Sequence, residues 1–221
     1  MSMSQSDKVI FLVRHCQDLP SDDLDQECAA RVPLTPFGVQ QAHALGRFLR
    51  SQNVEAVYTS IFDRSKETAE IIHSHTGGYF AVDERLNEQV LARGRLDKVD
   101  AKEIKQRMLE DPYFIPDSGQ SLLQSIELFS SSLDEKIGSS HQRICIVSHG
   151  FLMQAALHRR FVLAKAPELA EGSVSVIEFD GEQLKLVHHN LRPYTFLRAK
   201  QKGKDLLRQM LALIYSRFAR N

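Results

Sequence analysis

Short runs of apolar residues alternate along this chain with longer segments in which apolar positions recur every three or four residues. The first run, Val9–Val13, has no polar break and reads as a buried strand. Thr35-Pro36 opens the first helical segment, with Thr35 placed to cap it and Pro36 at its first position. Val39, Ala42, Leu45 and Leu49 mark its inner face. Two short strands follow, Ala56–Tyr58 and Tyr79–Val82, on either side of a helix carrying Ala69 and Ile72. A polar helix around Ala101–Leu109, a helix over Ser121–Ile137, a strongly apolar strand at Ile144–Val147 and a helix over Phe151–Val162 complete the alternation. Ser173–Phe179 and Gln183–Val187 flank Asp180-Gly181, which signals a hairpin.

This alternation predicts an α/β fold. The expected architecture is a three-layer sandwich with a mainly parallel central sheet, helices on both faces and an antiparallel edge strand from the closing hairpin. The chain shows no internal repeat and no low-complexity segment.

Composition narrows the picture without redirecting it. With 221 residues, 43% of them hydrophobic and 25% charged, the chain has the make-up of a globular protein with one sizeable core. Lys+Arg and Asp+Glu both number 28, so the basic excess of a nucleic-acid-binding surface is absent. Three cysteines, an odd number and far apart, make no disulfide framework. The opening MSMSQSD is polar and no apolar run approaches bilayer length, so the expected location is the cytoplasm.

The polar residues that matter fall where strands end. The first strand exits into Arg14-His15, the second into Thr59-Ser60 with Arg64 one turn into the next helix, and the strand at Ile144–Val147 into Ser148-His149-Gly150. In an open parallel sheet, ligands bind beyond the carboxyl ends of strands, so these exits gather two arginines and two histidines in one crevice. Arginine offers a planar, bidentate match to phosphate oxygens, and a neutral histidine can attack phosphorus. A second histidine can share the charge that develops. Metal binding is the rival use of two histidines, but adjacent arginines repel a cation and no carboxylate stands at ligand spacing from either histidine. A histidine behind one strand is ordinarily a satisfied loop residue, and a single helix arginine a surface ion pair; three such exits together point to phosphate. His43, His73, His75, His141 and His158 have no such setting and read as surface residues, with His188 and His189 ambiguous.

At these positions the chain resembles the histidine phosphatase superfamily, the phosphoglycerate-mutase-like group. Phe11-Leu12-Val13-Arg14-His15 is similar to its opening Arg-His-Gly motif, and Pro33 to Ala42 to its first helix entry. Val57-Tyr58-Thr59-Ser60 through Arg64 to Ala69 resembles the segment of the second arginine. Leu86-Asn87-Glu88 occupies the place of the acidic proton donor, and Ile146-Val147-Ser148-His149-Gly150 resembles the second-histidine motif. The resemblance implies a metal-independent, cofactor-free phosphomonoesterase with His15 as nucleophile, forming a phosphohistidine. Arg14, Arg64 and His149 would hold the phosphoryl group, and Glu88 would serve as acid and then base, with Glu84 the nearest substitute. Gln17, Ser21 and Gly150 are the expected substrate contacts, and the substrate a phosphorylated small molecule or phosphoprotein.

Two departures stand beside the nucleophile. Cys16 replaces the motif's glycine, and Asp18 replaces a Ser/Thr. A carboxylate here repels phosphate unless it is protonated or paired with an arginine, and Asp22, Asp23, Asp25 and Glu27 add negative charge behind it. These changes weigh against a bisphosphate substrate, and they motivate a rival reading as a degenerate phosphate-binding adaptor. Arg85-Leu86-Asn87-Glu88 is locally similar to the mutase branch, but the following Gln89 to Ala92 and the short insertion are not, so hydrolysis is expected over mutase activity. Arg93 and Arg95 are the basic residues a mutase would call on. Cys145, inside an apolar strand, reads as a core residue.

The expected organisation is a phosphatase-like domain over residues 1–197, with residues 84–120 as a short insertion over the active site, and a basic amphipathic helix over 198–221. Leu206, Met210, Leu213, Ile214 and Phe218 form one stripe of that helix. The stripe reads as a face packed on the domain or on a second copy in a homodimer, with an anionic membrane surface as the rival.

Overall fold

Strands β1 (Lys8–Arg14), β2 (Ala56–Thr59), β3 (Tyr79–Val82), β4 (Arg143–Ser148), β5 (Val174–Phe179) and β6 (Leu184–Leu191) form one sheet, ordered β3-β2-β4-β1-β5-β6. The computed structural model describes residues 8–20, 29–91, 98–117 and 119–195. The first four strands run parallel, β5 pairs antiparallel with β1, and β6 pairs antiparallel with β5. The unbroken apolar run of β1 is explained by its place near the centre, covered on both faces.

Alternate residues serve the two layers. Ile10 and Leu12 join Ile144, Ile146, Phe129 and Leu152 in one core cluster, under helices α3 (Lys98–Glu110), α4 (Leu122–Ile137) and α5 (Gly150–Arg160). Val9, Phe11 and Val13 join Cys145, Val147, Leu45 and Ile72 in the other, under α1 (Pro36–Ser51) and α2 (Asp63–Thr76). The fold class expected from the pattern is the one found.

Helix ends follow local chemistry. Thr35 caps α1 by accepting from the Gly38 N–H at 2.9 Å, with Pro36 in the first turn. Ser121 and Gln124 form a reciprocal capping box at the start of α4. The N-cap of α5 is His149, whose side chain makes no capping bond, so the open N–H groups there are left for other partners. The expected helix to Val162 stops at Arg160, and Val162 is 89% exposed with φ 48°.

Three strand ends come out level. Arg14 stands beside Ser148, and Thr59 beside Val147. The ladder continues past them, with the His15 N–H donating to the Ser148 carbonyl at 2.9 Å and the Ser60 N–H to the Val147 carbonyl at 3.3 Å. This alignment brings the three exits together. The 198–221 segment, Cys28, Asp22, Asp23, Asp25, Glu27, Arg93 and Arg95 lie outside the described residues. No helix among the described residues is long and apolar enough to cross a membrane.

Candidate active site

His15 is 5% exposed and His149 is fully buried, with their ring centroids 5.2 Å apart. Nδ1 of His15 lies 2.9 Å from the carbonyl oxygen of Cys16. A carbonyl only accepts, so Nδ1 carries the hydrogen and Nε2 keeps its lone pair. Burial, then the nearby Arg64 and Arg14 cations, push the imidazole well below the ordinary histidine range. His15 is therefore neutral and held in the tautomer a nucleophile needs. His149 is also pushed down, by burial first and then by His15, Arg64 and Arg14.

The loop that carries His15 is pinned from several sides. The Cys16 N–H donates to Thr68 Oγ1 at 3.0 Å, and the Gln17 carbonyl accepts from the Thr35 N–H at 2.9 Å. A Cβ on Gly38 would lie 2.0 Å from that Gln17 oxygen, so only glycine lets the start of α1 approach so closely. The Cys16 thiol is buried and pushed up by burial, which makes it an inert packing group.

Both arginines reach the crevice, and each is already engaged. Arg14 donates from Nη1 to the Leu169 carbonyl at 2.7 Å and faces Glu171 at 3.5 Å. Arg64 donates from Nη1 to the Ala29 carbonyl at 2.8 Å, and its Nε lies 3.5 Å from Asp18 Oδ2. The Phe62 ring is 4.9 Å from the Arg64 guanidinium and 5.0 Å from the His149 ring. Asp18 is thus paired with an arginine, one of the two ways its charge becomes tolerable beside phosphate.

Glu88 arrives from the segment after β3. Its Oε1 accepts from the Gln89 N–H at 3.1 Å and from the Leu152 N–H at 3.2 Å, supplying the cap that His149 does not give α5. It also acts electrostatically on Arg64. The segment is clamped on both flanks. Ser148 Oγ donates to the Leu86 carbonyl at 2.8 Å, and Gln89 bonds the Gln120 carbonyl at 2.9 Å and Ser125 Oγ. Asp83, just before it, accepts from Lys136 Nζ at 2.6 Å, Ser132 Oγ at 2.8 Å and Arg85 Nε at 2.9 Å. Glu84, the substitute considered for Glu88, is exposed on the single 3₁₀ turn Glu84–Leu86.

The remaining expected residues fare differently. Gly150 begins α5, and a Cβ on it would lie 2.9 Å from Arg14 Nε, so its observed service is to let the guanidinium pass. Gln17 uses its side-chain oxygen to accept from Thr35 Oγ1 at 2.9 Å, and it borders a cavity of about 330 Å³ shared with Gln41, Glu171, Arg192 and Tyr194. Ser21 lies outside the described residues. Of the histidines read as surface residues, His43 and His158 are exposed, whereas His73, His75 and His141 are half-buried and His43 Nδ1 bonds His75 Nε2 at 3.0 Å.

Four neighbours escaped the sequence reading. Ser60 Oγ lies 2.7 Å from His149 Nε2, and its place at a strand exit was a usable signal. Asn87 accepts from the Ile61 N–H at 3.1 Å through Oδ1. Phe62 and Glu171 gave no signal, since neither belongs to a periodic segment. Two buried nitrogens at the crevice have no partner among the described residues, Nε of Arg14 and Nδ1 of His149. Unpaired buried donors cost about 1–3 kcal/mol each, and an anionic oxygen is the acceptor that would satisfy them.

The sequence profile of the histidine phosphatase superfamily (branch 1) matches residues 10–192. The chain belongs to this superfamily. Its relatives include the putative phosphoserine phosphatase 2 of Hydrogenobacter thermophilus, 30% identical over 154 residues that span 67% of this chain and 76% of that protein. The probable phosphoglycerate mutase GpmB of Erwinia tasmaniensis is 30% identical over 152 residues, 65% of this chain and 70% of that one. Among solved structures, a mycobacterial glucosyl-3-phosphoglycerate phosphatase superposes with TM-score 0.69 at 20% identity, covering 84% of this chain and 99% of that one. A putative alpha-ribazole-5'-P phosphatase of Escherichia coli gives 0.65 at 22% identity, covering 84% and 97%. At these identities the structural likeness establishes the fold, and the superfamily supports a phosphatase.

Proposed function

We propose that the chain is a metal-independent phosphatase that hydrolyses a phosphomonoester through a phosphohistidine on His15. The observation that carries this reading is the Cys16 carbonyl on Nδ1 of His15, which leaves Nε2 as the nucleophilic nitrogen in a neutral ring. Nε2 attacks phosphorus, the P–N bond forms and the P–O bond to the leaving group breaks. Glu88 gives its proton to the departing oxygen. Water then attacks phosphorus, Glu88 takes a proton from it, and the P–N bond breaks to restore neutral His15. Arg14, Arg64 and His149 hold the phosphoryl oxygens throughout, so the guanidinium groups supply the positive charge a metal would otherwise bring.

The mutase relatives use a phosphoryl group too, but a mutase must also hold a second anionic group of its substrate while the phosphoryl group changes place. Among the described residues, the added side chains around this crevice are the carboxylates Asp18 and Glu171, which favours hydrolysis over phosphoryl return. An adaptor has no need of a tautomer-fixed histidine. The deciding experiment is hydrolysis of an aryl phosphate in EDTA by wild type and His15→Ala, with rapid quenching to trap acid-labile phosphoenzyme. Turnover and trapped phosphate that both vanish in His15→Ala are expected; turnover that survives the substitution overturns the mechanism.

A further inference from the structure

We propose that Asp18 is a phosphate-binding residue that works protonated: its carboxyl takes up one proton as the phosphoryl group enters and donates it in an O–H···O bond to a phosphoryl oxygen. This rests on the reading of the crevice as a phosphate site and adds a ligand to it.

The charges around the crevice make the case. With both histidines neutral and Glu88 serving as the acid, Arg14 and Arg64 are already paired with two carboxylates, those of Glu171 and Asp18. A cradle of two cations and two anions is formally neutral, so it has no net positive charge to offer the dianionic phosphoryl group that arrives. Asp18 Oδ2 already occupies the Nε edge of Arg64 at 3.5 Å, so an incoming phosphate shares that guanidinium with a carboxylate. Two anions on one cation cannot both stay ionised without a large penalty, and the common resolution is that one binds a proton.

Three observations assign the proton to Asp18. Its backbone cannot retreat, because it bridges Leu34 and the next N–H donates to the Pro33 carbonyl at 3.0 Å. Its side chain is 17% exposed, and burial already raises its carboxyl against the opposing pull of Arg64 and Arg14. The two alternatives are placed otherwise. Glu88 is committed to the leaving group and to two backbone N–H groups, and Glu171, which burial also raises, is more exposed at 33% and borders a cavity, so solvent carries part of its charge. Among the described residues, the charged groups acting on Asp18 are Arg64 from α2, Arg14 from the β1 exit and Glu171 from the segment before β5. The proton comes from solvent and returns to it when phosphate leaves. Above the carboxyl's own titration, affinity for a dianion therefore falls by about tenfold per pH unit, as expected for one linked proton.

Sulfate provides the test, since it carries no titrating proton between about pH 5 and about pH 8 and cannot turn over. Calorimetry in two buffers of different ionisation enthalpy counts the protons taken up on binding. Wild type is expected to take up about one proton more than Asp18→Asn; equal uptake overturns the inference. Should Asp18→Asn fail to fold, infrared difference spectra of the wild-type protein decide. Sulfate should raise the carbonyl band of a protonated carboxylic acid, and the band should move when aspartate alone is labelled with ¹³C. A missing band, or one that ignores the label, overturns the assignment. If sulfate and inorganic phosphate both fail to bind wild type, the phosphatase reading falls as well; binding without Asp18-linked uptake sinks only this inference.

Discussion

The hydroxyl of Ser60 lies 2.7 Å from Nε2 of His149, while the Phe62 N–H donates to the same oxygen at 3.3 Å. A phosphoryl oxygen only accepts, so His149 can hold one through Nδ1, which has no partner among the described residues, in the tautomer whose Nε2 accepts from the Ser60 hydroxyl. Ser60 thus sets which edge of His149 can hold an anion.

Removing it frees the ring to adopt either tautomer. Ser60→Ala should lower kcat/KM for an aryl phosphate by roughly tenfold, the size of one lost net hydrogen bond of about 1–1.5 kcal/mol. Ser60→Thr keeps the hydroxyl and should recover most of the loss. A threonine variant as poor as the alanine one would show that packing, rather than the bond, is what Ser60 provides.

Gly150 separates stability from activity. Alanine at the first position of α5 favours the helix by about 0.5–1 kcal/mol over glycine, yet its Cβ would sit 2.9 Å from Arg14 Nε. Gly150→Ala should keep or raise the thermal midpoint while kcat/KM drops on the order of a hundredfold, the effect of displacing a positioned group by about 1 Å. Unchanged kinetics would mean that Arg14 yields without leaving its ligand.

The site was legible in the sequence to the extent that it lies on strands. Arg14, His15 and His149 follow apolar runs whose ends the parallel register aligns, so their meeting could be inferred from pattern alone. Arg64 followed because it stands one turn into the next helix. Glu88 was placed by resemblance only, and the structure shows why no pattern marked it. Its loop is fixed by long-range bonds from the side chains of Ser148, Ser125 and Lys136 and by the Gln120 carbonyl, none of which leaves a local period. Glu171 was invisible for the same reason, and its pairing with Arg14 spans most of the chain.

Glu88→Gln tests the acid and base role with little structural cost, since the amide oxygen can still accept from Leu152. With a leaving group that needs no protonation, the first step should proceed and the second stall. The expected result is a burst of product followed by a steady rate about 10²–10⁴-fold below wild type. Equal loss in both phases, with no accumulated phosphoenzyme, would assign the proton transfers elsewhere.

Lys136, 2% exposed, closes on Asp83 at 2.6 Å, with its ammonium 4.5 Å from the centre of the Tyr58 ring. Burial raises the Asp83 carboxyl, but the bonds from Arg85, Lys136 and Ser132 outweigh it and hold the group well below the usual range. A depressed carboxyl stabilises the fold fully above its unfolded value of about 3.9, and the contribution disappears as pH falls through the folded value. Asp83→Asn should therefore lose stability near neutrality and lose less of what remains on acidification, read as urea midpoints across pH. Lys136→Met leaves Asp83 to Arg85 and Ser132 and should cost about 1.5–3 kcal/mol, the size of one hydrogen bond to a charged group. Parallel acid profiles for wild type and Asp83→Asn would remove this carboxyl from the account.

The strand order carries a consequence for how the molecule is made. The strand that delivers His15 precedes every other strand of the sheet, yet it pairs with two that come much later, Arg143–Ser148 and Val174–Phe179. Synthesis proceeds from the amino end, and such distant pairings are slow to close. The strand exit at His15 therefore waits for β4 and β5 to emerge, and it meets the exit at His149 only when those central strands are in place.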